Sequence, residues 1–382
     1  MSNHIFLDDF IYVRKALESH PLLLNSDKRE QFGNLVQNVE HAIIDYNSLI
    51  DALTKVTMFF QDGHTNIELP YTTEDMCLNI PCKWQKELFI LTDNYRNIPA
   101  GAVIISVEGR PVSELLSFAE TRIPHENIYL VKSRTTEYPY KNYHLFSAMN
   151  LEIMFGKKEF YTITFSVNGE CVEKQCSLVR YDGFLDFSQK PFIDYEIAED
   201  RMILHLRECI YNEEYKQTLQ KITELCNEKN LIALELDLSE NMGGNSQVIE
   251  EFIHFTQVDT YRRYEMIEFS SGSPVCVSSR ETVVINQKKS LLFPKNIYCR
   301  VSNATFSSAR TFAVTLKDNG IATIIGEPTG GKPCSYGMPK RDVTPNFKIR
   351  FRVSGALFLR PNSELDAEEA LVPDKKEAES NY

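Results

Sequence analysis

From residue 196 to residue 374 the chain alternates between short apolar runs and helical stretches, and this alternation restricts the fold more than any other feature. Met202 to Leu206, Leu231 to Leu238, Ile297 to Val301 and Ala322 to Ile325 read as strands, short and largely apolar. Between them, Glu213 to Glu228, Ser246 to Phe255 and Ser307 to Asp318 read as helices. The pattern predicts an α/β layer with a largely parallel sheet, because parallel neighbours need a crossover between them.

Upstream the period differs. Phe6, Phe10, Val13 and Leu17 form one helical stripe that Pro21 ends. Ser26-Asp27 is the expected cap of a second helix reaching about Ile44, and Ser48 with Asp51 that of a third reaching Phe60. Gly63 breaks that helix. Residues 66–195 then read as β-rich: Glu87 to Thr92, Ala102 to Val107, Phe160 to Val167 and Glu173 to Val179 are β-branched and aromatic, with Val112 to Ala119 a short helix. Glu108-Gly109 and Asn168-Gly169 are hairpin turns. The expected division is an N-terminal helical region (1–65), a β-rich middle domain (66–195), an α/β core (196–374) and a frayed charged tail (375–382).

A formal net charge of −12 argues against nucleic acid or an anionic membrane surface as the main partner. No apolar run reaches the roughly 18 residues of a membrane span, and the N-terminal stretch lacks the pattern of a secretory signal, so cytoplasmic residence is expected. The nine cysteines, odd in number and without CxxC pairs, read as reduced thiols rather than a disulfide framework or a zinc site.

Two strand-to-helix junctions and one loop carry candidate chemistry. In DLSENMGGNS, Asp237 to Ser246, adjacent Gly243 and Gly244 let backbone amides approach a ligand ahead of a helix N-terminus, as an oxyanion site requires; a plain glycine turn has the same look. In TFSSA, Thr305 to Ala309, Ser307 precedes a helix as either an N-cap or a nucleophile. Lys332 ends the turn GEPTGGK, where an enclosed lysine could serve as a base. His64, in DGHT at a helix-to-strand break, is the other candidate base. His4, His20, His125 and His144 show no accompanying chemistry.

Taken together these segments resemble the tail-specific (C-terminal processing) and tricorn-core serine peptidases. That family carries a D-L-R-x-N-x-G-G-[GN] loop, a T/S-x-S-[SA]-[AS] nucleophile segment, a G-E-P-T-x-G-K/G turn and a V-x-P-D ending; here they read DLSENMGGN, TFSSA, GEPTGGK and LVPD. DGHT after a helical region resembles the tricorn and interphotoreceptor retinoid-binding branch, and the segment from Ile98 to Gly109 resembles the PDZ-like domain placed before a crotonase-like core. The resemblance implies Ser307 as nucleophile, with Ser308 and Gly243 or Gly244 as oxyanion donors. For the base it implies Lys332 in one branch and His64 in the other, the latter backed by a C-terminal acid such as Asp366 or Glu368. The sequence departs from the pattern at Ser239, where the family has arginine, and at Met242; Gly63 stands where the tricorn branch often has serine.

The expected function is therefore a serine peptidase acting on peptides or protein tails through an acyl-enzyme, with no metal or organic cofactor and with oligomeric state, including a homo-oligomer, left open. Two rivals share the scaffold. A non-catalytic binding protein would not need Ser307, His64 and Lys332 together, and a crotonase-type acyl-CoA enzyme leaves the Ser307 and Lys332 segments unexplained.

Overall fold

The computed structural model describes residues 4–183, 185, 190–269 and 273–374; the expected frayed tail lies outside them. The chain divides into two compact units, Met1–Phe187 with Met338–Ser354, and Ser188–Gly337 with Gly355–Tyr382. The fold is mixed α/β, with a helical N-terminal region and β-rich parts, as the periodicities predict.

In the first unit the helices His4–Leu17, Ser26–Glu40 and Tyr46–Met58 bury the predicted stripe of Phe6, Phe10, Val13 and Leu17. Their caps differ from expectation. Asn25, not Ser26, accepts the Lys28 N–H at 3.1 Å. The third helix starts at Asp45, which accepts from the Ser48 N–H at 2.8 Å while Ser48 Oγ takes the Asp45 N–H at 2.9 Å. Ser48 is thus the third residue of a capping box and not its first, because Asp45 offers a charged acceptor one turn earlier. Downstream, Leu88–Leu91, Val103–Val107, Phe160–Val167 and Glu170–Ser177 build an antiparallel sheet, with helices Val112–Glu120, Ile128–Glu137 and Ala148–Phe155. Both predicted hairpin turns hold positive φ, +51° and +74° at Glu108-Gly109 and +51° and +86° at Asn168-Gly169, which matches the twist of the flanking strands.

The core sheet of the second unit runs in the order Ile193–Ala198, Arg201–Leu206, Ala233–Asp237, Asn296–Val301, Thr323–Gly326. Its last four strands are parallel, and Ile193–Ala198 is an antiparallel edge. Helices Glu213–Glu228, Gln247–Ile253 and Ser308–Asp318 connect or follow these strands and pack Leu219, Ile222, Phe252 and Phe312 onto Leu204, Leu236 and Cys299. Ala233–Asp237 and Asn296–Val301 are adjacent and parallel, so the loops that leave them emerge side by side at one end of the sheet. In such sheets that end is where ligands bind.

Candidate active site

The two neighbouring exits are the glycine loop 238–245 and the segment 302–307. Several bonds lock them together. Thr305 Oγ1 donates to the Leu238 carbonyl at 2.7 Å, the Phe306 N–H to the Asn241 carbonyl at 3.1 Å, and Ser302 Oγ to the Ser239 carbonyl. On the other flank the Cys209 N–H donates to the Gly243 carbonyl at 2.9 Å and the Asn245 N–H to the Cys209 carbonyl at 2.7 Å. Asn241 ties in from below, its side-chain amide donating to the Leu206 carbonyl at 2.7 Å while its Oδ1 accepts the Gly243 N–H at 2.8 Å.

Ser307 lies at the N-cap of the helix Ser308–Asp318 with φ +53° and ψ −127°. That conformation is essentially confined to glycine and costs a β-carbon-bearing residue on the order of 1–3 kcal/mol. A sharp strand-to-helix turn of this kind holds a side chain clear of the helix it begins, and Ser307 makes no side-chain cap to that helix. The strain requires close support. A β-carbon placed on Gly243, whose φ is +111°, would stand 2.6 Å from the Ser307 β-carbon and 3.0 Å from the Ser308 nitrogen. One on Gly244, at φ +137°, would meet the Cys209 carbonyl oxygen at 2.4 Å. Both glycines are therefore demanded by the approach of backbone to backbone as well as by φ. Ser308 itself is buried, its hydroxyl donating to the Gly244 carbonyl at 2.7 Å and lying 2.9 Å from Ser246 Oγ.

Lys332 is half-buried, and its Nζ forms a 2.6 Å ion pair with Glu369. A lysine base requires a neutral amine in a pocket poor in charge, the opposite setting. The turn that carries it presses on the Ser307 segment: a β-carbon on Gly331 would clash with Arg310 Nη1 at 2.3 Å and approach Phe306 at 3.0 Å. Of the two C-terminal acids, Asp366 receives Arg280 Nη1 on both oxygens, at 2.7 and 2.8 Å, and Glu368 receives Arg360 Nη1 at 2.6 Å. Each is thus held by an arginine.

His64 belongs to the first unit, where the DGHT turn is fully internal. Asp62 is 0% exposed, and its Oδ1 accepts the His64 N–H at 2.9 Å and lies 3.7 Å from His64 Nδ1. Its Oδ2 accepts from Thr65 Oγ1 and Ser354 Oγ, both at 2.6 Å, and lies 3.2 Å from His20 Nε2. Burial alone would raise the Asp62 pKa, but the contacts with His20 and His64 outweigh it and hold the carboxyl well below its ordinary value. His20, set aside on sequence, is therefore a partner of the site. It comes from 42 residues upstream, and no spacing rule connects it to DGHT. Ser354, from the far end of the chain, was equally invisible.

Asp62, His64 and Glu126 each bring one atom capable of binding a metal within 4.8 Å of the others. The donors already converging on both Asp62 oxygens make it a poor metal ligand, and the cluster is better suited to holding charge and protons. Among the described residues no helix is long and apolar enough to cross a membrane.

Residues 202–374 match the family described as Peptidase family S41. No curated protein is similar in sequence to the chain. Among solved structures, mature CPAF shares 15% identity at a TM-score of 0.67, over 98% of this chain and 92% of that one. The photosystem II D1 C-terminal processing protease shares 13% identity at a TM-score of 0.51, over 98% and 93%. At such identities the likeness is one of fold. It extends across both units, whereas the family match falls on the parallel sheet, the glycine loop and the Ser307 turn. Residues 202–374 of this chain are a peptidase family S41 domain.

Proposed function

We propose that the chain is a serine peptidase that cleaves peptides or protein tails through an acyl-enzyme on Ser307. The observation that carries this reading is the strained Ser307 turn pressed against Gly243, in a domain of a peptidase family. Ser307 Oγ attacks the scissile carbonyl and its proton passes to His64. The oxyanion rests on the N–H of Ser308, at the first turn of its helix, and on that of Gly244, since the Gly243 N–H is spent on Asn241. Collapse expels the amine, which takes the proton from His64, and water then hydrolyses the ester by the same route. His64 is preferred to Lys332 because Lys332 is tied to Glu369, a contact that supports the tricorn-like, histidine-bearing reading over the serine–lysine one. Nine free cysteines fit a reducing compartment, the cytoplasm.

A fluorophosphonate probe tests the nucleophile. Wild type is expected to label and Ser307→Ala not to; labelling that survives Ser307→Ala, or its absence in wild type, sinks the proposal. His64→Ala is expected to slow acylation far more than Lys332→Ala, and the reverse order would move the chain to the serine–lysine mechanism.

A further inference from the structure

We propose that Asp62, buried two residues before His64 with its Oδ1 3.7 Å from His64 Nδ1, is the acid that orients His64 as base. The assignment rests on the peptidase reading above but draws on a separate set of contacts. It departs from the expectation of a C-terminal acid, since Asp366 and Glu368 are each occupied by an arginine.

Three features fit Asp62 to this role. The first is geometric. Oδ1 accepts the His64 backbone N–H at 2.9 Å, so the carboxylate fixes the turn that carries the ring as well as facing the ring. At 3.7 Å the ring contact is longer than a hydrogen bond, a separation common for catalytic pairs before substrate tightens them. The second is the state of the acid. His20 Nδ1 accepts the Leu22 N–H at 3.1 Å, so the His20 proton sits on Nε2 and is donated to Asp62 Oδ2. With Thr65 and Ser354 on the same oxygen, the carboxylate is stabilised as an anion although no part of it is exposed. The third is the consequence for His64. A fixed anion on the Nδ1 side favours the Nδ1–H tautomer, in which Nε2 is the basic atom of the ring. The imidazolium that results is stabilised by Asp62, which stays ionised throughout. Other charged groups near the turn include Glu126, within 4.8 Å in the same cluster, and Arg134, whose Nη2 donates to the Gly63 carbonyl at 2.6 Å.

The test uses the full chain with 15N-labelled histidine. His64 is assigned by loss of its signals in His64→Gln, and its tautomer is read from two-bond nitrogen–proton correlations above the titration range. Wild type is expected to carry the proton on Nδ1; Asp62→Asn should move it toward Nε2, and Glu126→Gln should leave it in place. In peptide hydrolysis Asp62→Asn should lower kcat by on the order of 10²- to 10⁴-fold with KM within about threefold. A wild-type Nε2–H tautomer overturns the assignment, and so does a shift produced by Glu126→Gln and not by Asp62→Asn. If Asp62→Asn fails to fold, the wild-type tautomer still decides. Failure of Ser307 to label would refute the peptidase reading and leave the tautomer measurement standing.

Discussion

At Gly243 three demands meet in one residue. Its φ of +111° excludes a side chain, a β-carbon would stand 2.6 Å from that of Ser307, and its N–H is committed to Asn241. Gly243→Ala is therefore expected to push the Ser307 turn away from the loop. The loss should resemble that of an oxyanion donor, on the order of 10²- to 10³-fold in kcat, with about 1–3 kcal/mol of stability lost as well. Kinetics on a peptide substrate and a urea melt read the two effects separately, and an alanine variant with wild-type kcat would remove the loop from the mechanism. Asp62 makes a prediction about acid. Its folded pKa lies below the unfolded value of about 3.9, so its contribution to stability is complete above that value and is lost as pH falls through it toward the folded pKa. Thermal melts between about pH 5 and pH 2 should show a shallower decline for Asp62→Asn than for wild type. The glycine pair and Ser307 were legible in the sequence because each is a local conformational demand. Asp62 stood in plain view inside DGHT, yet its role was not legible, because His20 and Ser354 reach it only through the fold.

At the scale of elements, the strands and helices of the parallel core followed the apolar period, and Glu213–Glu228 coincides with its predicted limits, whereas the helices Ile128–Glu137 and Ala148–Phe155 were not located by it. Caps followed less well, since Asn25, Ser26, Asp45 and Ser48 all have the chemistry of a cap and only the backbone decides among them. Charge pairing between elements was not legible at all. The helix that begins after Ser307 ends at Asp318, where a carboxylate opposes the helix dipole. Arg360 answers it, with Nε at 3.0 Å from Oδ2 and Nη2 at 2.6 Å from Oδ1, both side chains 0% exposed. The Asn362 N–H adds a third bond at 3.0 Å. Asp318→Asn leaves the guanidinium buried without this counter-charge and should cost about 3–5 kcal/mol, far more than an exposed pair. Urea unfolding followed by the signal of the second unit measures it, and a cost below about 1 kcal/mol would mean that Glu368 alone suffices for Arg360.

At the scale of the whole molecule, the chain crosses three times between its units, and the first unit is completed by residues 338–354, which come after the Ser307 turn in sequence. Strand Arg350–Val353 pairs with Asn66–Glu68 on one side and Lys340–Val343 on the other. Ile349, Phe351 and Val353 enter the core formed by Phe10, Val13, Leu49 and Leu53. Asp9, on the first helix, accepts the backbone N–H groups of Asn346 and Phe347 at 2.9 and 2.8 Å and so fixes the returning loop. The same segment delivers Ser354 to Asp62, so the core of the first unit and the setting of His64 depend on one late stretch of chain. Phe351→Ala in the full-length protein should then cost about 3–5 kcal/mol. Hydrogen exchange locates that cost. Protection should fall in His4–Leu17 and Tyr46–Met58, some 290 residues or more away in sequence, while Glu213–Glu228 in the other unit keeps its protection. Uniform loss across both units would instead mean that they unfold as one cooperative body, whereas loss confined to residues 338–354 would mean that the N-terminal helices hold their core without the returning strand.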